Sequence, residues 1–376
     1  MRLASVELYR LALPLLEPFI ISGGSMEVRR SLVVIIRDDE GHAGYGEAPP
    51  FELPFYSEET LASAFDLLQR VLIPRIEGAE IGSPEEMHER LTDGIRGNPF
   101  ARAALETAMW DLEAARRGSG VAALLGERLG VAPASSVPCG VALGIPADRS
   151  LATLERWIAE AIARGYRRVK IKVAPGWDLE PVAAAQRALG DSGLPLTVDA
   201  NGAYRWPEHE AALRGLDQFG LLYIEQPLAP GELVGHASLS RALETPICLD
   251  ETLRDASAAR QVAELQGPRI WNLKVHRVGG LTEALTIYRI AEQYGADLWA
   301  GTMPESGIGS QAALAAASLP RFIYPSDLEP STRWFGRNVD VIKLVMGPDG
   351  RMPVSRLSVS HLLDRGRFDR STERLR

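Results

Sequence analysis

The sequence predicts an α/β protein, a (β/α) barrel carrying an N-terminal α+β capping domain. Three observations lead there. Alternating apolar and polar runs occupy the first fifty or so residues and give way to helical spacing. After Pro138, short strands rich in Val, Ile and Leu alternate with helical stretches. Ionisable residues recur where these strands end, one strand–helix unit apart. The expected division is 1–125 for the capping domain, 126–326 for the barrel, and 327–376 for a C-terminal segment packing back on the capping domain.

In the capping domain, SVELYRLALPL, RRSLVVIIRDDEG and HAGYGEA read as paired strands, with Asp38, Asp39, Glu40 and Gly41 forming a hairpin turn. SEETLASAFDLLQRVLIPRI then opens a helix on a capping-box signal, Ser57 followed three residues later by Thr60. A second capped helix begins at SPEEMHERL. A third, NPFARAALETAMWDLEAARRG, is Ala-rich and ends at Gly118.

The barrel strands are expected at VPCGVAL, RVKIKV, LPLTVDA, GLLYIEQ, TPICLDE, RIWNLKV, ADLWAG and RFIYP. Eight is the number that closes a (β/α) barrel. A doubly wound open sheet competes, but it calls for a Gly-rich phosphate turn after its first strand, which CGVALGIPADRS does not supply. The tail stretch NVDVIKLVMGPDGRMPV has strand character and is expected on the first domain.

Composition bounds the partners. The chain has 376 residues with 41 Lys+Arg against 49 Asp+Glu, a net charge of −8, so no broad basic field offers itself to a nucleic-acid backbone. Apolar residues at 46% and charged residues at 24% argue for a packed globular protein rather than disorder. Glu7, Arg10, Pro14 and Glu17 interrupt the apolar N-terminus, unlike a signal peptide, and no long apolar run suits a membrane span. A cytoplasmic protein with reduced, buried Cys139 and Cys248 is expected.

Chemistry concentrates at the strand ends. From Lys172 to Asp199, Glu225, Asp250 and Lys274 the steps are 27, 26, 25 and 24 residues, and Lys170 lies two before Lys172 on the same face. Steps of one unit place all of these on the C-terminal rim of adjacent strands. A lone strand-end carboxylate is most simply a helix cap, and a lone lysine a solvated side chain. Three carboxylates packed together repel unless a cation or protons neutralise them, and an all-oxygen set favours Mg²⁺ or Mn²⁺ over zinc. Lysines on either side of a hard cation suit removal of a proton next to a carboxylate, with an enediolate held as charge develops. Lys170 beside Lys172, and Arg277 beside Lys274, are expected to lower the pKa of each base.

The segments VKIKVAPGWD, TVDANGAY, YIEQPL, CLDET, NLKVHRVGG and MPESGIG resemble the enolase superfamily in its muconate-lactonising subgroup. PPFELPFYSEET, ARAALETAMWDL and PSTRWF resemble the o-succinylbenzoate synthase and N-succinylamino acid racemase family within it. The resemblance implies Asp199, Glu225 and Asp250 as Mg²⁺ ligands, Lys172 as one acid/base, Lys170 as the residue tuning it, and Lys274 on the other face, a Lys base with Mg²⁺ being usual in these sites. It implies substrate contacts from Asn201, Arg277, Glu305, Ser306, Gly307 and Ile308, with side-chain specificity set by the loops around Ile21 and Phe55. A small carboxylate substrate, a homo-oligomer and no nucleic-acid or membrane partner go with it. Racemisation and β-elimination of water share the first step, the latter yielding o-succinylbenzoate for menaquinone; Arg277 favours racemisation.

Thr302 narrows the pocket relative to relatives, and SDLEPS resembles the Asp-x-Asp of dipeptide epimerases with Glu329 as the second acid, keeping a dipeptide substrate open beside a muconate-cycloisomerase-like activity. GIGSQA, residues 307–312, matches a loose dinucleotide fingerprint but reads better as a helix start whose N–H groups meet a substrate carboxylate. His276 reads as a solvated loop residue, and Trp110, Trp157 and Trp271 as packing residues. A Schiff-base aldolase leaves the three carboxylates unexplained, and a silent binding scaffold has no use for opposed lysines.

Overall fold

The computed structural model describes residues 1–21 and 24–376, with side chains for all of these except 19–21, 24 and 25. Strands β1 (Leu3–Ile21), β2 (Gly24–Asp38) and β3 (Ala43–Ala48) pair antiparallel in sequence order. The β2–β3 turn is held by Asp38, whose Oδ1 accepts from the amides of Glu40 and His42 at 3.1 and 2.8 Å. The run LVVII in β2 is continuously apolar because both faces of the sheet are covered. Leu32, Val34 and Ile36 pack under the helices, while Val33 and Ile35 join Leu11, Leu13, Phe335, Val341 and Ile342 on the other side.

The first helix spans Leu61–Leu67 and is capped by Thr60, whose side chain and that of Ser63 form a reciprocal capping box. The expected cap at Ser57 is thus displaced by one turn; Ser57 Oγ instead donates to the Glu59 carbonyl. Helix Pro84–Thr92 is capped by Ser83, and helix Pro99–Arg116 lies across β3. Gly44 and Gly46 make that approach possible, since a Cβ at either would run into the helix backbone at Ala108 or Ala104.

Strand β4 (Ser136–Pro138) leads into the barrel, whose strands are β5 (Gly140–Leu143), β6 (Arg168–Lys172), β7 (Leu196–Asp199), β8 (Ile224–Glu225), β9 (Ile247–Leu249), β10 (Ile270–Leu273) and β11 (Asp297–Ala300). Among the described residues β5 to β11 form one seven-stranded parallel sheet in sequence order, with helices between strands. The expected eighth strand, RFIYP, is not a regular strand. It bridges β11 through Leu298 and Phe322, while Cys139 and Ser326 bridge on the other side, and the Ser326 amide and carbonyl bond Pro138 O and Gly140 N at 2.9 and 2.7 Å. Pro325 has no N–H to give a ladder, so closure falls to its neighbours.

Strand β12 (Arg351–Pro353) pairs with β4, and β13 (Thr372–Arg374) with β1. Of NVDVIKLVMGPDGRMPV only the RMP portion is strand; Val341 and Ile342 pack on the N-terminal sheet from irregular backbone. Trp110 and Trp271 are fully buried, and both cysteines are buried free thiols, burial pushing Cys139 up to about 12.

Glu106 fastens the two parts together. From helix Pro99–Arg116 it accepts from the Leu281 and Thr282 amides, both at 2.7 Å, satisfying the start of barrel helix Leu281–Tyr294. Burial outweighs these bonds and pushes its carboxyl from 4.5 up to about 7, so the folded state holds its proton more tightly and this contribution to stability is lost as pH rises through that window. Glu106→Ala strands two buried amides and is expected to cost about 3 kcal/mol in urea unfolding; an unchanged midpoint would show that the amides find other partners.

Candidate functional site

Parallel register sets Lys172 beside Asp199 and Asp199 beside Glu225 at the C-terminal ends of β6, β7 and β8. Lys170 points into the barrel. Its Nζ donates to Glu225 Oε2 at 2.9 Å, lies 2.7 Å from Asp327 Oδ2 and 3.5 Å from Asp199 Oδ2, and sits 4.7 Å above the Trp299 ring. Burial opposes its charge, but Asp327, Glu225 and Asp199 outweigh burial and hold it well above the usual lysine range. Lys172, one alternation nearer the rim and 31% exposed, donates to Asp199 Oδ2 at 2.6 Å and Asn201 Oδ1 at 2.5 Å.

The other side mirrors this. Lys274, just beyond β10, donates to Asp250 Oδ2 and to the Tyr56 hydroxyl, both at 3.0 Å. Arg277 bonds Asp250 Oδ1, the Tyr56 hydroxyl at 3.0 Å and the Asn272 carbonyl at 2.9 Å. Arg277 was expected to lower the pKa of Lys274. Burial and Arg277 do pull that way, yet Asp250 and Tyr56 prevail and hold Lys274 well above its usual range, because Asp250 lies between the two cations. The same cations, against burial, hold Asp250 well below the usual carboxylate range. Gly301 at the end of β11 leaves room for this group: a Cβ there would run into the Asn272 amide and the Lys274 stem.

Asp199, Glu225 and Asp250 are buried on consecutive strands. Burial and the neighbouring Asp199 push Glu225 up to about 8 even with Lys170 alongside, and Asn272 Nδ2 donates to its other oxygen at 2.8 Å. Among the described residues no three acidic, His or Cys side chains already surround an ion-sized point, since Lys170, Lys172 and Lys274 each engage a carboxylate. The donor set still fits a hard divalent cation. It is all oxygen, its charge is penalised by burial, and a cation taking the carboxylates would release Lys172 and Lys274 toward the opening.

Several expected substrate contacts are used otherwise. The start of helix Gly307–Ala317 is not free for a ligand: the Ser306 and Gly309 amides donate to Glu47 at 3.1 and 2.9 Å, and Gly307 to Asp340 at 2.9 Å. Ser306 and Gly307 thus bind the capping domain and tail, and Ile308 packs with Leu11 and Val33. Glu305 is buried against His276, 3.1 Å away, so His276 is a core partner rather than a solvated loop residue. Phe55 packs on Phe51 at 4.8 Å, and it is its neighbour Tyr56 that reaches the lysine. The Ile21 side chain lies outside the described residues. Asn201 joins the site through Lys172 and also donates to Glu251 at 2.9 Å.

Sequence reasoning missed Arg168, Tyr56, Asn272 and Trp299, and met Asp327 only as the first acid of SDLEPS, not as a partner of Lys170. Arg168, fully buried, bonds Asp327, which in turn holds Lys170. Asp327 lies 159 residues from Arg168 and Tyr56 218 from Lys274, so their pairing shows only once the chain is folded.

Family comparison matches residues 5–126 to the mandelate racemase / muconate lactonizing enzyme N-terminal domain and 153–357 to the enolase C-terminal domain-like family. The chain is 41% identical over 356 residues to an N-succinylamino acid racemase of Thermus thermophilus, covering 94% of this chain and 92% of that protein. It is 38% identical over 336 residues to an o-succinylbenzoate synthase of Geobacillus kaustophilus, covering 89% and 86%. A solved enolase-superfamily structure from Listeria innocua superposes with a TM-score of 0.91 at 34% identity, over 99% of this chain and 97% of that one. The chain belongs to the enolase superfamily, in its mandelate racemase / muconate lactonizing branch and, within that, to the o-succinylbenzoate synthase / N-succinylamino acid racemase family.

Proposed function

We propose that this enzyme removes the proton α to the carboxylate of a small substrate, as an N-succinylamino acid racemase, an o-succinylbenzoate synthase or both. The observation that carries this reading is strand order: Lys172 ends β6, Lys274 follows β10, and Asp199, Glu225 and Asp250 come from the strands between. Asp199, Glu225 and Asp250 would hold Mg²⁺ or Mn²⁺, which when bound neutralises charge building on the substrate carboxylate. Lys172 takes the proton on one face, and Lys274 delivers one on the other. In the elimination Lys172 is base and then acid, and Lys274 stays an ammonium. Lys170, clamped by Asp327 and Glu225, positions Glu225 rather than exchanging protons itself.

An N-acyl substrate is favoured over a dipeptide. Asp327 is taken up by Arg168 and Lys170, and Glu329 accepts from the Ala142 amide at 3.1 Å and lies 3.5 Å from Arg333 Nε, so both acids of SDLEPS already face cations of the protein itself. A cytoplasmic homo-oligomer, a place in menaquinone synthesis for the synthase activity, and the division at 125 and 326 are proposed on the same family reading. Among the described residues no helix is long and apolar enough to cross a membrane.

The test offers Mg²⁺-loaded protein N-succinyl-L-phenylalanine, and separately the β-hydroxy acid whose dehydration yields o-succinylbenzoate. Chiral chromatography and ultraviolet absorbance follow the products. At least one product is expected, and EDTA should abolish it; neither product with either substrate would reject the reading.

A further inference from the structure

The capping domain sends one hydroxyl into the barrel's chemistry. Tyr56 comes from the irregular stretch before helix Leu61–Leu67, and its sequence distance from Lys274 is 218 residues. Its hydroxyl lies 3.0 Å from both Lys274 Nζ and Arg277 Nη1, and the Lys274 ammonium also sits 4.9 Å from the centre of the Tyr56 ring. Phe51 packs edge-on against the same ring at 6.1 Å, and Arg29 lies 5.0 Å over Phe51. Arg29 is buried and donates to the carbonyls of Pro304 at 3.0 Å, Met303 at 3.1 Å and Pro50 at 3.2 Å. The loop bearing Tyr56 is therefore tied to the barrel's seventh loop through Arg29 and Phe51. Among the described residues, Lys172 by contrast bonds only barrel partners, Asp199 and Asn201.

Resting on the proton-transfer reading above, we propose that Tyr56 is a positioning residue for Lys274 alone, so that the capping domain controls one of the two faces of the reaction. The phenol oxygen accepts from Lys274 while the ring face receives the ammonium, which fixes both the direction and the height of a long, rotatable side chain. Asp250 supplies a second contact while no cation takes its carboxylate. With the hydroxyl removed, Lys274 keeps the ring, and Asp250 only where no cation takes that carboxylate, but loses the bond that aims it; Arg277 loses the same acceptor, while Lys172 loses nothing directly. A purely structural role for Tyr56 would disturb both faces together.

The experiment measures α-proton exchange in D₂O by proton NMR on N-succinyl-L-phenylalanine and its D-isomer with Mg²⁺. Lys172→Ala and Lys274→Ala identify which isomer reports which lysine. Tyr56→Phe is expected to slow Lys274-face exchange about tenfold more than Lys172-face exchange, in kcat rather than KM. Tyr56→Leu, which also removes the ring, should widen that ratio. Exchange at an unchanged ratio in both variants would overturn the Tyr56 inference alone. Absence of exchange in the unmodified enzyme would overturn this inference, and the function on which it rests falls with it if the β-hydroxy acid is not dehydrated either.

Discussion

Lys274→Ala is expected to lower racemisation of an N-succinylamino acid by about 10³-fold, the scale of losing one positioned proton donor or acceptor. Exchange with solvent should nevertheless survive on the isomer whose α-proton faces Lys172. Lys172→Ala should show the reverse pattern. This one-sidedness follows from the strand order, which places the lysines at β6 and after β10 with the carboxylates between them. Loss of exchange on both faces from either substitution would mean that the two lysines act as one unit rather than as separate acid/base groups. If synthase chemistry dominates, Lys172→Ala should be the more damaging of the two, because Lys172 then serves as both base and acid.

Asp250→Ala is expected to damage the fold and the chemistry together. Its carboxylate is the shared partner of Lys274 at 3.0 Å, whose side chain is 11% exposed, and of buried Arg277, so its removal leaves two largely sequestered cations without their counter-charge. Breaking a buried pair in this way costs about 3–5 kcal/mol. In metal-free buffer the urea midpoint should fall accordingly, and adding Mg²⁺ should restore neither stability nor activity. A variant as stable as the parent would show that Lys274 and Arg277 are neutralised elsewhere, and with it the placement of Asp250 at the centre of the site would fail.

Much of this architecture is legible in the chain because parallel strands repeat. Each unit spends a similar number of residues on strand, loop, helix and return, so Lys172, Asp199, Glu225, Asp250 and Lys274 announce themselves by spacing alone. Residues outside that period are silent. Asp327 is as deeply engaged with Lys170 as Glu225 is, yet it follows an eighth segment, RFIYP, that reads as a strand but folds irregularly, so the period does not carry on to it. Tyr56 reaches Lys274 from another domain, a relation no local pattern encodes. The start of helix Gly307–Ala317 shows the opposite failure: GIGS has the look of an anion site, and it is one, but the anions are the protein's own Glu47 and Asp340. The reading of Lys274 failed on magnitude, since a neighbouring Arg277 lowers its pKa less than Asp250 raises it.

The most direct test of two-lysine, metal-dependent proton abstraction is proton NMR of N-succinyl-L-phenylalanine incubated with the enzyme in D₂O. With Mg²⁺ the α-proton signal should disappear and the D-isomer accumulate, and EDTA should stop both. An α-proton signal that persists with Mg²⁺ present, together with no dehydration of the β-hydroxy acid, would contradict it.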